Sequence, residues 1–242
     1  DGTTLVDLLD RAAADHPQRP AWTFDLPGDR HRLTYADVAE RSRRLASALS
    51  ARGVAAGDRV GVMLGNTPEM PLTWLALMRL GAAMVPLNPR YRRDDVAHLL
   101  TDAAVRFVVA RPEHHELLTA YASVVGPDEL ALHGAEDLPT PVLTPGTVVN
   151  VQYTSGTTGR PKGCLLDHAY WTTLGGSMLT EHPHLISDDV LLTAQPFHYV
   201  DPQWNVVASL MAGAHLVVLD GFHPSTFWSK VPEHRVTYFY CL

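Results

Sequence analysis

Helix-like and strand-like segments alternate through most of this 242-residue chain. Residues 35–52 repeat apolar side chains at helical spacing, between Thr34, which suits a helix N-cap, and Gly53, which suits a helix end. Residues 60–64 form a buried-strand pattern, and residues 67–80 begin with the Thr-Pro-Glu order that is typical of a helix start. This alternation predicts an α/β fold with largely parallel sheets flanked by helices.

The same alternation continues along the chain. Further helices are predicted at residues 94–102, 167–179 and 203–212. Further strands are predicted at residues 105–110, 190–194 and 215–219. No internal repeat interrupts this pattern.

A proline-rich connection divides the predicted sheets. Residues 126–146 contain four prolines and little periodicity, so we expect them to connect sheet segments at residues 1–125 and 147–242 over the surface. The last residues, 236–242, have an apolar, strand-like pattern. Because strands of parallel sheets are usually covered on both faces, we expect residues 1–242 to be an incomplete domain of a longer protein.

Charge and hydropathy exclude some partners. With 19 Lys plus Arg against 26 Asp plus Glu, the net charge of −7 provides no basic field that would hold nucleic acid. The longest apolar stretch, residues 74–87, is interrupted by Arg79 and is too short to span a bilayer. The two cysteines, Cys164 and Cys241, are far apart and fit reduced thiols. We predict a cytoplasmic protein without a nucleic-acid or membrane partner; its oligomeric state stays open.

The residues with the clearest chemical meaning are 153–163 (YTSGTTGRPKG), which directly follow a strand-like stretch. Three glycines allow close backbone approach, so that consecutive N–H groups can converge on a phosphate, and four hydroxyl groups add donors. Because Pro161 stands where a Walker loop requires glycine, and Gly163 follows the lysine, an ordinary P-loop is disfavoured. We predict a phosphate-binding loop; the alternative is a polar turn.

Lysine is rare in this chain, which has 17 arginines and only two lysines, Lys162 and Lys230. A lysine inside the glycine-rich loop therefore indicates a need for a compact ammonium group. Such a group fits among phosphate oxygens where a planar guanidinium would not.

These residues resemble the signature loop of the adenylate-forming superfamily, which includes acyl- and aryl-CoA synthetases, peptide-synthetase adenylation domains and luciferases. Residues 33–37 (LTYAD), 80–89 (LGAAMVPLNP) and 196–198 (PFH) resemble further segments of that family, in the family's order. The resemblance spans most of the chain. It implies part of the large N-terminal α/β domain of such an enzyme.

The resemblance implies a two-step reaction on a small carboxylic acid. The carboxylate attacks the α-phosphate of ATP, with Mg²⁺ bound, and expels pyrophosphate to leave an acyl-AMP. A thiol, expected to be that of coenzyme A, then displaces AMP. Adenylation is needed because a free carboxylate is a poor acyl electrophile, whereas AMP is a good leaving group.

The resemblance also assigns roles to residues. The phosphate-binding residues would be Thr154, Ser155, Gly156, Thr157, Thr158, Gly159 and Lys162. Of these, Lys162 and Thr157 are the first catalytic candidates. His198 matches a position near the substrate carboxylate and is the third, with a packed or surface histidine as the alternative. Tyr199, Asp201 and Trp204 would line the acyl pocket, with a core or capping role as the alternative. No metal site is predicted.

Later motifs of the family do not occur among residues 1–242: the adenine-stacking segment, the ribose-binding aspartate and the mobile C-terminal domain. We therefore expect these residues alone to bind triphosphate without completing catalysis. Residues 196–198 favour an acid–CoA ligase. The alternatives are an adenylation domain that loads a carrier protein, a ligase with an amine or other nitrogen acceptor, and a non-catalytic nucleotide-binding half-domain. A kinase or NTPase would instead release ADP.

Overall fold

The computed structural model describes residues 2–131, 141–154 and 160–240, and it confirms the predicted α/β class. The helices in these residues are α1 (Leu5–Asp15), α2 (Tyr35–Ser50), α3 (Glu69–Arg79), α4 (Arg93–Asp102), α5 (His115–Leu118), α6 (Pro127–Ala131), α7 (His168–Thr180), α8 (Val200–Ala212) and α9 (Pro224–Glu233), with a 3-10 turn at Pro112–His114. The strands are β1 (Pro20–Leu26), β2 (Asp29–Thr34), β3 (Arg59–Met63), β4 (Ala83–Pro86), β5 (Phe107–Ala110), β6 (Ser123–Val125), β7 (Val148–Thr154), β8 (Lys162–Asp167), β9 (Val190–Thr193), β10 (His215–Leu219) and β11 (Tyr238–Phe239).

The described strands form two sheets. One has five strands in the order β11-β9-β10-β1-β2, and the other has six in the order β6-β5-β3-β4-β7-β8. Neighbouring strands are parallel except in two pairs, β1 with β2 and β7 with β8, which are antiparallel. The mostly parallel pairing follows from the helices that connect successive strands.

Each sheet takes strands from both sides of the predicted connection at 126–146. Strands β1 and β2 pair in the sheet that holds β9 to β11, whereas β7 and β8 join the sheet that holds β3 to β6. The prediction that 1–125 and 147–242 are separate sheet segments is therefore wrong. Local patterns identify a strand but not its partner: Trp22 of β1 is in register with Leu216 of β10.

The start of α2 is as predicted, and the start of α3 is not. The Thr34 hydroxyl accepts from the Asp37 N–H at 3.1 Å, and the Asp37 carboxylate accepts from the Thr34 N–H at 2.8 Å, which forms a capping box. In α3, Pro68 takes the N-cap position. The Thr67 hydroxyl is consequently buried without a hydrogen-bond partner among the described residues.

Tryptophans fix the packing between the layers. Trp74 and Trp171 are fully buried, with ring centroids 5.0 Å apart, so α3 packs against α7. The Trp74 indole N–H donates to the Val149 carbonyl of β7 at 3.0 Å. Among the described residues, every helix is too short or too polar to cross a bilayer.

Candidate active site

The predicted phosphate loop connects the two strands of an antiparallel hairpin. Thr154, the last residue of β7, is in register with Lys162, the first residue of β8. The predicted residues Ser155, Gly156, Thr157, Thr158 and Gly159 lie outside the described part of the chain. Because Thr154 and Lys162 are paired, the two ends of the loop lie next to each other. Both residues are exposed.

The two lysines of the chain have different environments. Lys230 forms ion pairs with Asp25 at 2.7 Å and with Glu233 at 3.0 Å. Lys162 is exposed, and its ammonium group forms no ion pair within residues 2–131, 141–154 and 160–240. Its positive charge therefore remains available to an anion that reaches the loop.

A network of amide side chains connects β7 to the segment that carries His198. The Gln152 amide N–H donates to the His198 carbonyl at 2.8 Å. The amide N–H of Gln203 donates to the Phe197 carbonyl at 2.9 Å and to the Gln152 side-chain oxygen at 3.3 Å. Asn150 donates in turn to the Gln203 side-chain oxygen. The strand that leads into the phosphate loop and the predicted acid-binding segment are thus held together.

Asn66 connects the carboxyl ends of strands from both sheets. It follows β3, and its side-chain amide donates to the Gln195 carbonyl beyond β9 and to the Leu219 carbonyl at the end of β10, both at 2.9 Å. Its side-chain oxygen accepts from the Phe197 N–H at 2.9 Å. In open α/β sheets, ligands bind in the crevice outside these carboxyl ends. His198 therefore lies at the edge where a ligand site is expected.

His198 is half-buried and uncharged at neutral pH. Burial, with a further contribution from the nearby positive charge of Arg90, lowers its pKa from 6.5 to about 4. Its Nε2 atom is buried and has no hydrogen-bond partner among the described residues. A neutral imidazole with an unpaired nitrogen can donate to or accept from one substrate group.

The three predicted neighbours of His198 differ in their surroundings. Tyr199 is 50% exposed and its ring contacts that of His198, with centroids 4.3 Å apart. Asp201 lies in the first turn of α8. Trp204 donates its indole N–H to the Leu174 carbonyl at 3.2 Å, and its ring contacts Tyr240. The Trp204 N–H is therefore engaged with α7, which leaves its ring as the part that a ligand could contact.

One cluster of potential metal ligands occurs among the described residues, but its carboxylates are already paired with cationic side chains. Asp25, Glu233 and His234 have ligand atoms within 4.8 Å of one another. Asp25 accepts hydrogen bonds from Lys230, His234 and Arg30, which outweigh burial and lower its pKa to about 2. Because cationic side chains occupy these carboxylates, the cluster is an ion-pair network that joins β1, β2 and α9. It does not fit a resident divalent cation.

Sequence reasoning missed several residues that organise the site. Asn66, Asn150, Gln152 and Gln203 were not singled out, although a buried amide in an apolar strand such as Asn150 is a signal for a structured polar contact. Arg90 was not singled out either; it is exposed, and its positive charge contributes to the lowered pKa of His198.

Comparisons with known proteins agree on one family. A family model described as AMP-binding enzyme matches residues 9–242. A feruloyl-CoA synthase of Amycolatopsis sp is 36% identical over 210 residues, which cover 85% of this chain and 42% of the relative. A crotonobetaine/carnitine–CoA ligase of Citrobacter koseri is 27% identical over 268 residues, which cover 100% of this chain and 51% of the relative.

Solved structures show the same architecture. The inhibitor-bound N-terminal domain of FACL13 from Mycobacterium tuberculosis superposes with a TM-score of 0.89 at 26% identity, covering 98% of this chain and 62% of that one. A long-chain-fatty-acid CoA ligase described as putative, from Rhodopseudomonas palustris, gives 0.87 at 28% identity, covering 98% of this chain and 63% of that one. This chain spans about half the length of the curated relatives that it matches.

Proposed function

Because this chain belongs to the family of AMP-binding enzymes, we propose that the protein activates a carboxylic acid with ATP and transfers the acyl group to coenzyme A. A carboxylate oxygen attacks the α-phosphorus, and the bond to the pyrophosphate oxygen breaks. The thiol sulfur of coenzyme A then attacks the acyl carbon, loses its proton and displaces AMP. The two relatives above are named as a CoA ligase and a CoA synthase, which supports this choice of acceptor.

One observation supports the ATP site most directly. Thr154 and Lys162 lie side by side at the base of the loop, and the Lys162 ammonium has no ion-pair partner in the described part of the chain. We propose that Lys162, Thr154 and the loop residues Ser155, Gly156, Thr157, Thr158 and Gly159 hold the β- and γ-phosphates. Lys162 would offset the negative charge that develops on departing pyrophosphate.

We propose that His198 orients the substrate acid, since its buried Nε2 has no other partner in the described residues. Tyr199, Asp201 and Trp204 would then line the acyl pocket beside it. Mg²⁺ would arrive bound to the phosphates of ATP and screen their charge. Because ATP and coenzyme A are cytoplasmic reactants, we expect the protein to act in the cytoplasm.

A screen of the full-length protein with Mg-ATP and a panel of carboxylic acids tests this proposal. We expect acid-dependent release of pyrophosphate and AMP, and a CoA thioester detectable by mass spectrometry. Acid-dependent pyrophosphate release with no thioester would redirect the second step to a carrier thiol or an amine. Release of ADP, or pyrophosphate release with no dependence on any acid, would overturn the proposal.

The two lysines provide a matched test of the phosphate site. We expect Lys162→Ala to lower kcat/KM for ATP by about 100-fold or more, the typical cost of removing one preorganised charge-stabilising group. Lys162→Arg should also lose activity, because a guanidinium fork is larger and planar. Lys230→Arg is the control: a guanidinium can still pair with Asp25 and Glu233, so activity should be retained. Full activity in Lys162→Ala would refute the role of that lysine.

A further inference from the structure

One face of α4 contacts the hairpin on both sides of the phosphate loop. His98 and Asp102 are four residues apart in α4, so their side chains lie on the same face. His98 Nε2 is 3.1 Å from the Pro161 carbonyl, directly before β8. Since a carbonyl oxygen only accepts, this nitrogen carries the proton. One turn later, the Asp102 carboxylate accepts from the Tyr153 hydroxyl of β7 at 2.5 Å.

Tyr153 also packs across the hairpin. A Cβ atom placed on Gly163 would lie 3.1 Å from Cζ of Tyr153 and 3.0 Å from Cγ1 of Val151, so the absent side chain at 163 is what admits the phenol ring. The ring meets that of His98 edge-on, with centroids 6.4 Å apart. His98, Asp102 and Tyr153, here named the α4 clamp, therefore form one connected set of contacts.

The α4 clamp contacts residues that are directly adjacent in sequence to proposed phosphate-binding residues. Pro161 directly precedes Lys162, and Tyr153 directly precedes Thr154, so each clamp contact lies one residue from a proposed phosphate-binding residue. The hydrogen bond between Tyr153 and Asp102 is charge-assisted, and bonds of this kind are about twice as strong as neutral ones. A shift of about 1 Å in a reacting group can cost about 100-fold in rate.

We propose that the α4 clamp is a positioning device that fixes both ends of the phosphate loop for ATP, and that His98, Asp102 and Tyr153 are positioning residues of the adenylation step. This inference rests on the proposed function. The clamp residues do not touch the reacting atoms. They hold Tyr153 and Pro161 in place before ATP arrives, so Thr154 and Lys162 need less ordering when the phosphates bind.

Steady-state kinetics of the full-length protein tests the clamp. We expect Tyr153→Phe and His98→Ala each to raise KM for ATP several-fold, and the double variant to raise it about tenfold or more. KM for the acid and the melting temperature should change little. Asp102→Ala should behave as Tyr153→Phe does, whereas Asp102→Asn, which keeps an acceptor oxygen, should recover most of the ATP affinity.

His115→Ala is the matched control, because the His115 Nε2 atom bonds the Ala110 carbonyl at 3.0 Å, and Ala110 belongs to β5 and not to the hairpin. It should leave KM for ATP unchanged. Equal KM values for ATP in the wild type and the double variant would overturn the clamp while the proposed function stands. If KM for ATP and KM for the acid rose together and the melting temperature fell, the clamp residues would only stabilise the fold, and the proposal would also be overturned. An inactive wild type would remove the proposed function, and the clamp with it.

Discussion

The side-chain oxygen of Asn66 accepts a hydrogen bond from the backbone N–H of Phe197 at 2.9 Å. The two residues belong to loops that follow strands of different sheets, β3 and β9. The same Asn66 side chain donates both amide hydrogens to carbonyls on the five-stranded sheet side: that of Leu219 in β10 and that of Gln195 in the loop after β9. One carboxamide therefore uses both of its donor hydrogens and its acceptor oxygen to hold the segment next to His198.

Replacing Asn66 tests this connection. Asn66→Ala leaves two carbonyl oxygens and one N–H without this partner, and an unsatisfied buried group costs roughly 1–3 kcal/mol. We expect the free energy of unfolding, measured with guanidinium chloride, to fall by about that amount or more. Asn88→Ala is the control, since Asn88 accepts one exposed hydrogen bond from the Arg90 N–H. Equal stability of the two variants would show that Asn66 does not hold the loops together.

Replacing the neighbouring glycines Gly175 and Gly176 of α7 by alanine should change the stability of the protein in opposite directions. A Cβ on Gly175 would lie 2.7 Å from Sδ of Met211 and 2.9 Å from Cγ1 of Val207, both on α8. Overpacking of this kind costs about 1–3 kcal/mol. A Cβ on Gly176 would meet Met211 only at 3.7 Å, so Gly176→Ala should gain up to about 1 kcal/mol of helix propensity. Thermal unfolding of both variants decides this. Unchanged stability of Gly175→Ala would contradict the close α7–α8 packing, and destabilisation by Gly176→Ala would contradict the space beside that residue.

Because three of its histidines are buried, we expect the protein to lose stability in mild acid. Burial lowers the pKa of His168, His198 and His215 from 6.5 to about 4 in each case. Between these values the unfolded chain binds more protons than the folded one. The stability that these neutral side chains provide is thus fully present above pH 6.5 and is lost as the pH falls towards 4.

Denaturant unfolding at several pH values between 7.5 and 4.5 measures this dependence. We expect the free energy of unfolding to be insensitive to these groups above pH 7 and to decline below pH 6.5. His168→Gln removes one of the three titrating groups, so its slope against pH should be shallower by up to one proton. A wild-type protein with equal stability at pH 7 and pH 5 would contradict the burial of these rings.

Local features of the fold follow from the sequence because neighbouring residues produce them. The capping box of Thr34 and Asp37 forms within one turn, and the start of α2 is as predicted. Residues 153–163 were predicted to be a loop that follows a strand; the strand β7 is present, and it extends to Thr154, while β8 begins at Lys162. The α/β class follows from alternating periods alone. The start of α3 differs from the prediction, because Pro68 takes the N-cap position and no side chain caps the helix.

The tertiary structure decided which distant segments meet. Neither the pairing of β1 with β10 nor the action of Arg90 on His198 is visible in any local pattern. The same holds for the contacts of His98 and Asp102 with the hairpin, which lies more than fifty residues further along the chain. The sequence alone indicated helices such as α2 and α4 and strands such as β3 and β10, because hydrogen bonds and side-chain periods act over a few residues. Only the fold decided which side chains surround that loop, because strand pairing depends on the packing of the whole core.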